Sequence, residues 1–398
     1  MRPLVCLTIA FALLSVMSAA RAMCPGCEAP STTLSEQVEL SAHMLLGKWV
    51  GGEKPTSEKA GTCRFEIVDV AKSKGDIFKV GETIELPQYI AGKKDGLYAL
   101  MGPDEDLIDW HIPSESTESS WKYLSELPPA VTDPEAQTKR LAFFIDYLEH
   151  PEVTVANDAY AEFALAPYDV ITPLKDLLPR DKLRAWIANP ETAVTRLGLY
   201  GVLLGQCGKA EDAEVMKQKI LYPDSDFRLG INGVMFGYLI LTGEEGLKVL
   251  EDSKMRAKTF VNKDGEEVSV PFSERYATMY ALRYMWDHEP DILPKKRLKQ
   301  SMRVLLERPE LADLVITDLA RWKDWGVQER LMKMYDDEQY NIPSVKRAIV
   351  RYFYYCSQDK EEDVELEPEY IVAATENLRV LEEKDPKTVR NAKRFLNR

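Results

Sequence analysis

The feature that most constrains this chain is a change of hydrophobic period near Trp121. Before it, apolar residues come in short, mostly alternating runs; after it they recur at three and four residues for most of the remaining chain. Period two belongs to half-buried strands and a 3.6-residue period to amphipathic helices, so two structural regimes must share one polypeptide. The first regime predicts strands at Leu45 to Val50, Cys63 to Ala71, Thr83 to Leu86, Gly96 to Met101 and Leu107 to Ile112. Gly51-Gly52, Lys74-Gly75, Gly92 with Asp95-Gly96, and Gly102-Pro103 supply breaks between them. Thr33 and Glu36 are spaced as a capping box for a short helix ahead of the strands. Five short strands with such turns predict a small β-barrel.

The second regime carries four clear stripes. These are Leu141, Phe144, Ile145 and Leu148; Ile231, Val234, Met235, Tyr238 and Leu241; Leu311, Leu314, Val315, Leu319 and Trp322; and Val345, Ala348, Ile349, Tyr352, Phe353 and Cys356. Each must be buried against a neighbouring helix. Pro134-Glu135, Pro151-Glu152, Pro190-Glu191, Pro309-Glu310 and Pro368-Glu369 precede apolar-periodic runs, and Pro343 and Pro386 fit the same place. Proline at the first helical position loses no intrahelical bond, and the glutamate that follows faces the positive end of the helix dipole. Pro151 to Pro190 spans 39 residues and Pro309 to Pro343 spans 34. Those spacings suit stacked helical pairs, an α-α solenoid, with further units beginning near Asp226 and Ser273. Thr259 to Val261 and Val268 to Val270, joined through Lys263-Asp264-Gly265, predict a β-hairpin inserted near 258–271.

Residues 1–22 have the pattern of a secretory signal: Arg2, an apolar run from Leu4 to Met17, and Ala20-Arg21-Ala22 as a small-x-small cleavage site. A secreted or periplasmic protein is expected, with a β unit at 23–128 and a helical array at 129–398. The 65 Asp and Glu against 51 Lys and Arg give a net charge of −14. Removal of Arg2 and Arg21 with the signal takes it to −16. Such a balance argues against a nucleic-acid partner, since phosphate would be repelled. No later segment reaches the roughly 20 apolar residues of a membrane span, so no stable insertion is expected after cleavage.

The residues Cys24-Pro25-Gly26-Cys27, Ala42 to Val50, Phe65 to Val70 and Val80 to Ile84 resemble netrin-like domains. These share an OB-type barrel with the tissue inhibitors of metalloproteinases. Asp226 to Ile231 and Pro343 to Ile349 resemble HEAT-type repeats, and the combination is similar to secreted bacterial proteins. The first resemblance implies a barrel and, by analogy, a protease inhibitor. The chain departs from it where Met23 stands ahead of Cys24 and the second cysteine comes three positions on instead of two.

Chemistry candidates are few. In an exported chain Cys24 and Cys27 predict a disulfide, within the pair or from one of them to Cys63; a thiol-disulfide redox pair and a metal site are the other readings of that spacing. Cys207 and Cys356 fall on helical stripes as core thiols. His43, His111, His150 and His288 are scattered and expected at surfaces or edges, and the familiar hydrolase and nucleotide motifs are absent. The acids at Asp104, Glu105, Asp106 and Asp109 fit a polar turn. Lys295, Lys296, Arg297, Lys299 and Arg303 fit a solvated helix face, with an anionic partner as the alternative. No catalytic residue, cofactor or metal is assigned. The expected function is binding or scaffolding toward a protein or extracytoplasmic polymer. Its candidate contacts are Tyr276, Tyr280, Arg283, Tyr284, Trp322 and Trp325, because aromatic residues and arginine dominate interface hot spots. Packing between repeats is the competing role for the same residues.

Overall fold

The computed structural model describes residues 32–102, 110–222, 228–262, 265–359 and 368–394. It is a mixed α and β chain, with sixteen α-helices and two antiparallel sheets among the described residues. The first helix, α1 (Leu34–Leu40), starts on the expected capping box: Thr33 Oγ1 accepts from the Glu36 amide, and Glu36 Oε2 accepts from the Thr33 amide. Strands β1 (His43–Glu53), β2 (Thr62–Ser73), β3 (Thr83–Leu86), β4 (Leu97–Gly102) and β5 (Ser114–Ser116) form one sheet in the order β3-β2-β1-β4-β5.

The sheet corrects three expectations. The sheet is open, and no closed barrel occurs among the described residues. Gly51 and Gly52 do not break β1; they continue it past a register shift between Trp49 and Gly51. Of the expected fifth strand, 107–109 lie outside the described residues and Trp110 to Ile112 are not strand; Ser114–Ser116 pairs with β4 instead. An exposed edge segment needs no apolar alternation, so β5 carried no pattern to detect. Both faces of the sheet are covered. Leu45, Phe65, Ile67, Leu86 and Leu100 fill one side, while Met44, Leu46, Ala99 and Met101 pack the other against Trp121 and Leu124.

Helix α2 (Glu118–Glu126) joins sheet to helices. Trp121 Nε1 donates to Asp69 of β2 (2.7 Å), and the Tyr123 hydroxyl donates to Asp158 (2.6 Å). The same aspartate accepts the Leu34 amide at the start of α1 (2.7 Å), so one buried carboxylate ties both N-terminal helices to the array.

The array runs α3 (Pro134–Phe144), α4 (Val153–Leu165), α5 (Tyr168–Ile171), α6 (Arg180–Ala188), α7 (Val194–Cys207), α8 (Ala210–Leu221), α9 (Ile231–Leu250), α10 (Phe272–His288), α11 (Lys295–Val304), α12 (Ala312–Arg321), α13 (Gln328–Asp336), α14 (Pro343–Ser357), α15 (Glu369–Lys384) and α16 (Pro386–Lys393). Pro134, Pro343 and Pro386 occupy first helical positions and Pro368 the cap before α15. Pro151, Pro190 and Pro309 stand two to four residues ahead of their helices. The hairpin forms as β6 (Thr259–Val261) and β7 (Glu267–Ser269), one residue offset from expectation. Helix α7 packs on α9, α9 on α10, α12 on α14, and α14 on α15; α6, α8, α11 and α13 pack beside them.

The α7–α9 contact has a sequence cause. Arg196-Leu197-Gly198 with Gly201, Val202 and Gly205 recurs 32 residues later as Arg228-Leu229-Gly230 with Gly233, Val234 and Gly237. A β-carbon at Gly201 would stand 2.5 Å from the Val234 Cα, and one at Gly205 2.6 Å from the Gly237 Cα. The helix backbones therefore touch directly.

Candidate functional site

Helix α10 buries Ala277, Ala281, Leu282 and Met285, which leaves the stripe at four-residue spacing on its outer side. Phe272, Tyr276, Tyr280 and Tyr284 occupy it with successive ring separations of 5.6, 4.8 and 6.0 Å, and the Tyr276 hydroxyl donates to that of Tyr280. The three tyrosines are half-buried and Phe272 is exposed. Arg283 lies 4.6 Å above the Tyr280 ring and bonds Asp318 of α12 through Nε at 2.7 Å. Four of the six residues expected at the contact surface thus come together.

Trp322 does not join them. It is 2% exposed and stacks flat on Trp286, with centroids 4.3 Å apart and planes at 8°, so its role is packing between α10 and α12. The sequence could not separate it from Trp325, because its partner lies on another helix.

Trp325 is half-buried beside a cleft of about 570 Å³ between α12 and α14. Thr317, Ala320 and Arg321 line one side, Ala348, Arg351, Tyr352 and Tyr355 the other, and Lys323, Gln358 and Asp359 complete the wall. Asp359 receives Trp325 Nε1 at 2.6 Å and Lys323 Nζ at 2.5 Å. Burial alone would raise the Asp359 pKa, but those two donors outweigh it and hold the carboxyl below its ordinary range. Lys323 has a backbone φ of +49°, a conformation that costs a non-glycine residue on the order of 1–3 kcal/mol and concentrates at functional sites. Its carbonyl is held by Lys299 Nζ at 3.0 Å.

The stripe and the cleft are linked through the buried Asp318. Asp318 is shared by Arg283 and by Arg321, at 3.5 Å, and Arg321 lines the cleft. Burial pushes the Asp318 carboxyl up despite these two neighbours. Arg321, Arg351, Tyr355 and Asp359 were not identified from sequence. For the α14 pair, the signal lay in the complement of the buried stripe, where Arg351 and Tyr355 stand four residues apart.

The remaining candidates resolve differently. Cys24, Cys27, Asp104, Glu105, Asp106 and Asp109 lie outside the described residues. Cys63 lies buried in the sheet core and is bonded to no other cysteine among the described residues; its Sγ donates to the Gln88 carbonyl (2.6 Å) and accepts from the Ile90 amide, and burial pushes its pKa up. His43 is buried between Phe78 and Trp110, not at a surface. Much of the basic run on α11 is engaged locally: Arg297 with Glu244 and Glu251, Arg303 with Asp324, and Lys295 over Trp286. Among the described residues no group of three His, Cys, Asp or Glu could hold a metal ion, and no helix is long and apolar enough to cross a membrane. No family model, curated protein or solved structure matches the chain.

Proposed function

We propose that this chain is an exported binding protein whose helical pairs stack as a solenoid, with recognition on the face shared by α10, α12 and α14. The observation that carries this reading is the unbroken path from Phe272 through Tyr276, Tyr280, Arg283, Asp318 and Arg321 into the Trp325 cleft. Half-exposed aromatic rings beside guanidinium groups are the composition of interface hot spots, and stacked helical pairs supply an extended surface. Residues 1–22 support export.

The test is retention of an extracytoplasmic extract by the immobilised chain, compared with Tyr280→Ala and Trp325→Ala forms whose folding has been verified by circular dichroism. Specific retention by the wild type, reduced in both variants, is the expected result. Equal retention by all three forms would place recognition elsewhere.

A further inference from the structure

We propose that the cleft between α12 and α14 is a carboxylate subsite, occupied by an acidic peptide segment in which Asp or Glu stands beside an aromatic or apolar residue. This rests on the binding reading above and names the chemistry of the partner.

Charge is the first argument. Among the described residues the cleft wall carries Arg321, Lys323 and Arg351 against the single carboxylate of Asp359, in a chain whose overall balance is −14. Asp359 is already committed to Lys323 and Trp325. Arg321 shares Asp318 with Arg283, which is closer to it (2.7 against 3.5 Å), so two guanidiniums divide one acid. Arg351 donates Nε to the Ala392 carbonyl at 3.4 Å, longer than a strong hydrogen bond. Two arginine forks therefore face the cleft with positive charge in excess, and the guanidinium plane matches a carboxylate bidentately.

Shape is the second. Trp325, Tyr355, Ala320 and Ala348 give the same cleft apolar walls, so a bare anion would leave most of its surface unfilled. A volume of about 570 Å³ falls within the size of sites that enclose organic ligands. Beyond Arg321, the buried Asp318 carboxylate links the cleft to Arg283 and so to the tyrosine stripe. An extended chain leaving the cleft past Arg321 would meet Arg283 and Tyr280 next, whereas a compact molecule would stop at the cleft. Thr317 and Gln358 add a hydroxyl and an amide to the lining.

The experiment is a positional-scanning peptide library with one fixed Phe, read by fluorescence anisotropy against the full-length chain, with 3-phenylpropionate as a competing small carboxylate. The expected result is enrichment of Asp and Glu next to the Phe, with the best peptide bound roughly tenfold more tightly than its Asn/Gln counterpart. Arg351→Gln should remove that preference. Asp359→Asn, which deletes the competing carboxylate and keeps an acceptor for Trp325, should strengthen acidic peptides, a gain that a purely structural role would not produce. Enrichment of neutral or basic neighbours, at affinities still lowered by Tyr280→Ala, would overturn the carboxylate subsite and leave the binding face standing. Displacement by 3-phenylpropionate at the peptide's own concentration would overturn the peptide occupant. Absence of any bound peptide, together with undiminished extract retention by Tyr280→Ala and Trp325→Ala, would overturn both.

Discussion

Asp158 shows how one residue joins two regimes of structure. Its carboxyl accepts the Leu34 amide and the Tyr123 hydroxyl, and faces Glu162 and Arg140. Burial raises its pKa from 3.8 to about 6, against the lowering effect of both hydrogen bonds. A folded-state value above the unfolded one means that the native chain holds the proton more tightly. Its contribution is complete below the unfolded value and disappears as pH rises through about 6, a difference on the order of 3 kcal/mol. Wild-type stability in urea should therefore fall relative to Asp158→Asn between pH 4 and 7; parallel curves would contradict the assignment. Glu274 is the opposite case. It is buried between Arg228 (2.5 Å) and Lys254 (2.9 Å), and these cations lower its pKa although burial opposes them. Glu274→Gln leaves both cations uncompensated and should cost about 3–5 kcal/mol in the same assay. At this scale the sequence was partly legible. Tyr276, Tyr280, Arg283 and Tyr284 sit on one helix at readable spacing, but Trp325 meets Asp359 34 residues away, and Asp158 meets Leu34 124 residues away. Such pairings come from tertiary packing and leave no local period.

Elements were most legible where one face alone is buried. All four helical stripes lie in or against the helical core; a single buried face forces the 3.6-residue period on helices such as α12 and α14, whereas α9 is buried almost all round from Ile231 to Leu239. β3 also fell where expected, whereas the apolar run Met44-Leu45-Leu46 in β1 does not alternate, because both sheet faces are covered. The barrel expectation failed for a related reason: strand count and turns say nothing about whether the outer strands meet. The glycine repeat was present in the sequence, and its spacing is the cause of the α7–α9 approach. Gly205→Ala would force a methyl group to 2.6 Å from the Gly237 Cα and should destabilise by about 1–3 kcal/mol. Gly51→Ala, whose nearest neighbour is the end of the Arg64 side chain at 3.5 Å, should stay within about 0.5 kcal/mol. Thermal melts of the two variants separate close helix approach from a general intolerance of alanine.

The whole chain combines a sheet covered on both faces with an array of helices, joined through α1, α2 and Asp158. The residues named as the recognition face belong to α10, α12, α14 and the turns beside α12 and α14, and none to the sheet. The most direct measurement is hydrogen–deuterium exchange of the full chain, alone and saturated with the material it retains from an extracytoplasmic extract. Slowed exchange across 272–288, 312–327 and 343–359, with 43–102 unchanged, is the expected result. Protection centred on the sheet, with those three segments unaffected, would contradict it.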